Sequence, residues 1–148
     1  MISKLIYQAG MRDRYPSLMT QLEALLESDH WSYQQLENLQ LKRLQELLVF
    51  AESHSPFYTA LFNKCNFNPR KVQSIKDLKQ LPSIEKSTLI LHKEDIQSRA
   101  NFKRLRLSET SGTTGQPLSI YRSEEWDSGT RAAMFRGYQW YKVNPWDR

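Results

Sequence analysis

Between Glu109 and Pro117 the chain reads Glu-Thr-Ser-Gly-Thr-Thr-Gly-Gln-Pro, grouping the hydroxyls of Thr110, Ser111, Thr113 and Thr114 around Gly112 and Gly115. Such a stretch has almost no apolar surface to bury, but it can surround an anion. Glycine lets the backbone take left-handed conformations and approach a ligand closely. Successive backbone N–H groups can form a concave nest for phosphate oxygens, and hydroxyls add further donors. The segments on either side alternate polar with apolar residues, Arg104 to Leu107 before the loop and Leu118 to Tyr121 after it. That is the period of a half-buried strand. Together they predict a hairpin that carries a phosphate loop at its tip. A Walker loop needs Lys-Ser or Lys-Thr after its last glycine. Gln116 and Pro117 follow Gly115 here, which excludes it.

The run Thr110-Ser111-Gly112-Thr113-Thr114-Gly115-Gln116-Pro117 resembles the phosphate loop of the AMP-forming, adenylate-forming enzymes. Within them it is most similar to phenylacetate-CoA ligase and the related capsular polysaccharide biosynthesis proteins. In the wider superfamily a lysine commonly follows the proline, whereas this chain has Leu118, as that branch tends to. Upstream, Ala51 to Tyr58, Ile75-Lys76-Asp77-Leu78 and Leu81-Pro82 with Lys86 resemble the amino-terminal helical region of the same branch. The resemblance implies ATP as cofactor, with Mg2+ bridging its phosphates, although no protein ligand for the metal can be named. It also implies a small carboxylic acid as substrate and CoA, or an amine or hydroxyl, as acceptor. The carboxylate would attack the α-phosphorus to give an acyl-adenylate and pyrophosphate, and the acceptor would then take the acyl group. In that scheme Thr110, Ser111, Gly112, Thr113, Thr114 and Gly115 hold the β- and γ-phosphates.

The elements that must position the loop follow from the rest of the chain. Pro16 to Ser28 predicts a helix with Leu18, Leu22 and Leu25 on one face, widened by Met19 and Leu26. Ser32 and Gln35 form a capping box. The helix after them, with Leu41, Leu44, Leu48 and Ala51 inward, should end near Ser53 because Ser55 precedes a proline. Phe57 to Phe62 is a short helix opened by Pro56, and Asn66 to Arg70 is a turn. Ser74 caps a helix that runs to Leu81, where Pro82 stops it, and Glu85 to Lys93 is one more, with Ile84, Leu89 and Ile90 for the core. Lys103, Arg104 and Arg106 predict a basic strand that either guards a sheet edge or touches phosphate. After the loop Ser123 caps a long helix with Glu124 and Glu125 in its first turn, favoured by the macrodipole. Trp126, Thr130, Ala133, Gly137 and Trp140 share one of its faces, and Gly129, Ala133 and Gly137 predict tight packing there before Asn144-Pro145 ends the helix.

The expected fold class is therefore α+β. A mostly helical region over residues 1–100 precedes residues 101–148, a β-hairpin phosphate loop and long helix that begin an α/β domain of the adenylate-forming fold. Finished α/β domains add units until both sheet faces are covered. No position matches the family's later motifs for adenine, ribose, metal, acyl group or catalytic lysine. The chain thus reads as the amino-terminal portion of such an enzyme, missing its carboxy-terminal portion and inactive alone. The alternative is a noncatalytic interaction module or truncated remnant of the family.

Composition sets wider bounds. The 148 residues, 39% hydrophobic and 25% charged, are those of a globular chain. A net charge of +5 and a pI near 9.4 suit anionic ligands without naming one. Lys42-Arg43 and Arg70-Lys71 alternate with acidic residues and lack the interleaved aromatics of a single-strand platform, so they predict solvated helix faces rather than a nucleic-acid surface. Cys65 is the single cysteine, which rules out an intrachain disulfide. His30, His54 and His92 lack metal-ligand spacing. With no signal-like or bilayer-length apolar run, a cytoplasmic protein is the expectation.

Overall fold

The structure, a computed structural model, describes residues 2–110, 117–144 and 147. It is α+β and mostly helical, with one small two-stranded antiparallel sheet. Seven α-helices are described, α1 (Ile2–Arg14), α2 (Leu18–Ser28), α3 (Tyr33–His54), α4 (Pro56–Lys64), α5 (Lys86–Leu91), α6 (Lys93–Ile96) and α7 (Glu124–Trp140). The strands β1 (Arg106–Glu109) and β2 (Ser119–Arg122) lie between α6 and α7. No helix is long and apolar enough to cross a membrane among the described residues. Two compact units interleave along the chain: residues 1–31, 102–106 and 122–148 form one, and residues 32–101 and 107–121 the other.

In the first unit α1, α2 and α7 enclose Tyr15, Leu18, Leu22, Ala132 and Phe135, with Tyr7, Met11, Leu25 and Leu26 packed around them. The leucine stripe of α2 falls where its spacing puts it, except that Met19 stays 47% exposed and adds little to the core. Sequence reasoning missed α1. Its inward residues Tyr7 and Met11 make a thin stripe, while Leu5 and Ile6, the apolar residues that draw the eye, are exposed. Asp29 caps the carboxyl end of α2, where a carboxylate opposes the macrodipole. Hydrogen bonds from Arg136 Nε at 2.7 Å and Trp140 Nε1 at 3.1 Å compensate. The Arg136 bond first, and the Trp140 bond after it, hold the Asp29 carboxyl below its ordinary pKa.

The predicted face of α7 is not the buried one. Glu124, Ser128, Ala132 and Phe135 point inward, whereas Trp126, Thr130, Ala133 and Trp140 are exposed. The buried stripe is turned by about two residues, roughly 200°, onto nearly the opposite face, because Phe135 and two small residues, Ser128 and Ala132, fit against α2 better than two tryptophans would. Only part of the close-packing argument survives. A Cβ on Gly129 would meet Gln21 Oε1 at 2.6 Å, but one on Gly137 would meet nothing within 4 Å. The helix also ends earlier than Asn144-Pro145. Lys142 takes a left-handed φ of 56°, with Val143 N bonded to Tyr138 O and Lys142 N to Gln139 O. This Schellman pattern satisfies the last carbonyls without proline.

The second unit is built on Leu48, Phe62, Phe67 and Val72, with Leu41, Leu44 and Leu78 around them. Its caps follow the sequence closely. The Ser32–Gln35 capping box is present, Ser74 accepts the bond expected of a cap, and Ser55, read from the sequence only as the residue before Pro56, also caps α4. The turn at Asn66 is a second Schellman motif, with φ 50°, Phe67 N bonded to Phe62 O, and the two rings 5.1 Å apart. That ring contact is the hydrophobic pair such a motif favours. Residues Ile75–Gln80 form a 3-10 helix rather than the α-helix expected there, since Asp77 binds Gln73 N and Ser74 N and Pro82 leaves no room for further turns. Glu85 to Lys93 is divided between α5 and the start of α6, with Ile84, Leu89 and Ile90 half-buried.

Candidate functional site

The loop expected to bind phosphate is held at its neck by one residue pair. Thr110 N donates to Leu118 O at 3.0 Å, and Leu118 N donates to Thr110 Oγ1 at 3.0 Å. This register puts Glu109 opposite Ser119, whose hydroxyl donates to Glu109 Oε1 at 3.0 Å. The strand–loop–strand order read from the sequence is therefore present at the neck, and Pro117 lies two residues before the second strand, where no ladder donor is needed. Ser111, Gly112, Thr113, Thr114 and Gly115 lie outside the described residues. Of the six candidate residues, Thr110 alone is described. Its hydroxyl gives a lone pair to Leu118 and keeps its own hydrogen to donate.

The first strand begins later than expected. Arg104 has a left-handed φ of 54°, which extended backbone excludes, and β1 starts at Arg106. Leu105 and Leu107 are 47% and 58% exposed, so the alternation there does not mark a buried face. Neither proposed role fits Arg104, because its guanidinium donates to the carbonyl of Asp13. Lys103 precedes the strand. Arg106 is on the strand, but four residues from Thr110, roughly 13 Å at the rise of a strand. The register pairs it with Arg122, and Asp127 Oδ1, 3.6 Å from Arg122, offsets the like charges. Arg122 also lies over the Trp126 ring at 4.8 Å.

A chain of contacts in the second unit positions the hairpin. Ser55 is 1% exposed at the joint between α3 and α4. Its hydroxyl donates to Asp95 O at 2.9 Å and Ile96 O at 3.0 Å, and it accepts from Tyr58 N. Arg99 N donates to His54 O at 2.7 Å on the same joint. Gln97 is thereby fixed, and its Oε1 accepts from Tyr121 N of β2 at 3.0 Å. Nothing in the spacing of Gln97 announced this role. The only signal was Ser55, foreseen as the residue before Pro56 and found to hold two carbonyls forty residues away.

Glu124 was also read too locally. It does begin α7, as expected for a carboxylate at a helix amino terminus, but it is 7% exposed and serves α2 as well. Ser17 N and Ser17 Oγ donate to it at 3.1 and 2.8 Å, and Ser128 Oγ donates too. Ser17 offers its own helix no side-chain cap, so Glu124 stands in. Burial pushes its pKa up. The Ser128 bond, the two Ser17 bonds and the Arg104 charge outweigh burial and leave it below the ordinary 4.5.

No family model matches the chain. No curated protein matches it either. The described residues hold no group of three or more His, Cys, Asp or Glu placed to bind a metal ion. The basic pairs stand on solvated faces, Arg70 beside Glu52 and Lys42 beside Glu46.

Proposed function

We propose that the chain is the amino-terminal part of an ATP-dependent, AMP-forming carboxylate-activating enzyme of the phenylacetate-CoA ligase and capsular polysaccharide biosynthesis type. The observation that carries the reading is the motif itself, Thr110 to Pro117, set on an antiparallel hairpin whose neck Thr110 and Leu118 close. A loop so tethered can offer N–H and O–H groups without first ordering its ends, and preorganised donors are worth about 3 kcal/mol each where charge develops on a leaving pyrophosphate. Thr110 donates from the neck, and Ser111, Thr113 and Thr114 would add hydroxyls above it. The donor chemistry fits the phosphates of ATP. The Mg2+ that would accompany ATP is assigned no ligand among the described residues. When bound it would supply charge neutralisation.

The test is ATP–pyrophosphate exchange by a protein that carries this chain together with the remainder of the fold, with a panel of small carboxylic acids. Thr113→Val with Thr114→Val should lower exchange about 100-fold or more. Exchange at the unmodified rate would overturn the reading. A second reading, a noncatalytic interaction module, draws on the exposed α7 face that carries Trp126 and Trp140. It predicts partner binding that the two threonine changes leave intact and that Trp126→Ala weakens.

A further inference from the structure

The first unit contains a cavity that the nucleotide reading does not use. Tyr7 and Met11 of α1, Tyr15 of the link that follows, Leu18 and Leu22 of α2, and Phe135 of α7 wall it, and its volume is about 120 Å³. Close-packed interiors hold few voids larger than a water molecule. Water suits this one poorly, because an ordered water needs two to four polar partners and these walls are mainly apolar, with Gln8, Arg12 and Gln139 at the mouth. An apolar cavity of roughly 150 Å³ in another protein stays dry and takes up benzene.

The walls select a ring over an alkyl chain. Tyr7 and Phe135, 6.4 Å apart with their planes tilted by 38°, give the cavity two aromatic walls, and aromatic pairs favour such offset and tilted contacts. Met11, with Met19 at the mouth, adds thioethers, which favour contact with aromatic edges. The Arg131 guanidinium lies over the Tyr15 ring at 4.3 Å and holds that wall in place. The polar groups of the mouth, Gln8, Arg12 and Gln139, are part-exposed or exposed, so a charged guest would lose hydration inside without a buried partner to replace it.

We propose that this cavity is a binding site for an uncharged molecule of single aromatic ring size. The proposal does not depend on the phosphate loop, and its test reads different residues. The full chain is titrated with benzyl alcohol, with cyclohexylmethanol of the same heavy-atom count, and with benzoate, while the methyl resonances of Met11 and Met19 are followed. Benzyl alcohol should give saturable shifts at those methyls with a Kd of about 1 mM or below, which is within reach of so few atoms. Cyclohexylmethanol and benzoate should bind at least threefold more weakly. Met11→Phe fills the cavity, and Met19→Trp closes the mouth from a half-exposed position that tolerates the change. Each should weaken benzyl alcohol at least tenfold, read at the remaining methionine and by the ligand-induced rise in Tm. Should Met11→Phe fail to fold, Met19→Trp decides alone. No saturation by about 10 mM, equal binding of the three compounds, or unchanged binding to a folded variant would overturn the proposal.

Discussion

Replacing Glu124 separates a surface carboxylate at a helix start from one that joins two helices. Three donors converge on it in a site it nearly closes: Ser17 N, Ser17 Oγ and Ser128 Oγ. A hydrogen bond to a charged acceptor contributes about 1.5–3 kcal/mol, but three bonds to one carboxylate are not additive. Glu124→Ala also leaves the hydroxyl of Ser128, itself fully buried, without an acceptor. We expect a loss of about 2–4 kcal/mol. Glu124→Gln keeps one oxygen for Ser17 N and Ser128 and turns its NH2 toward Ser17 Oγ, which accepts as readily as it donates, so about 1 kcal/mol should go. Urea unfolding followed by tryptophan fluorescence is the assay, since Trp31, Trp126 and Trp140, the tryptophans among the described residues, all belong to the first unit. The folded pKa of Glu124 lies below its ordinary 4.5. The stabilisation is therefore fully present above that value and lost as pH falls through the lower, folded one. The gap between the unmodified chain and Glu124→Gln should accordingly close in acid. A Glu124→Ala loss under about 0.5 kcal/mol, or a gap that stays constant down to the acid limit of folding, would refute the reasoning.

The second unit offers a parallel case in Ser55→Ala, which removes a helix cap and the buried donor to the Asp95 and Ile96 carbonyls and should cost about 2 kcal/mol by chemical unfolding. It should also raise hydrogen exchange at Tyr121 N, because Gln97 loses its anchor. The helical glycines should diverge. Gly137→Ala, with open space for its Cβ, should gain about 0.5–1 kcal/mol, while Gly129→Ala must displace Gln21 Oε1 and break the Gln21 bond to Glu125 O, which cancels most of the same gain. Equal Tm changes in the two variants would show that α7 meets α2 differently from the description above.

Local signals were legible wherever a few neighbouring residues settle the matter. Ser32 with Gln35, Ser74 and Ser123 each fixed a helix start, because a cap is a hydrogen bond between residues two or three apart, and Pro56 marked another by its place in a first turn. The loop motif and its strand neighbours were likewise local, and the pair of Thr110 with Leu118 closes the hairpin where the turn residues put it. Tertiary structure alone decided which face of α7 is inside. Trp126 and Trp140 carry more apolar surface than Ser128 and Ala132, so hydropathy favours the wrong stripe, and only the close approach of α2 makes small residues the better fit. The same holds for Glu124, whose partner Ser17 lies more than a hundred residues away, and for Gln97, which holds β2 through a single side-chain oxygen. Periodicity reports what a helix or strand prefers in isolation, whereas long-range hydrogen bonds and packing exist only once the chain has closed on itself.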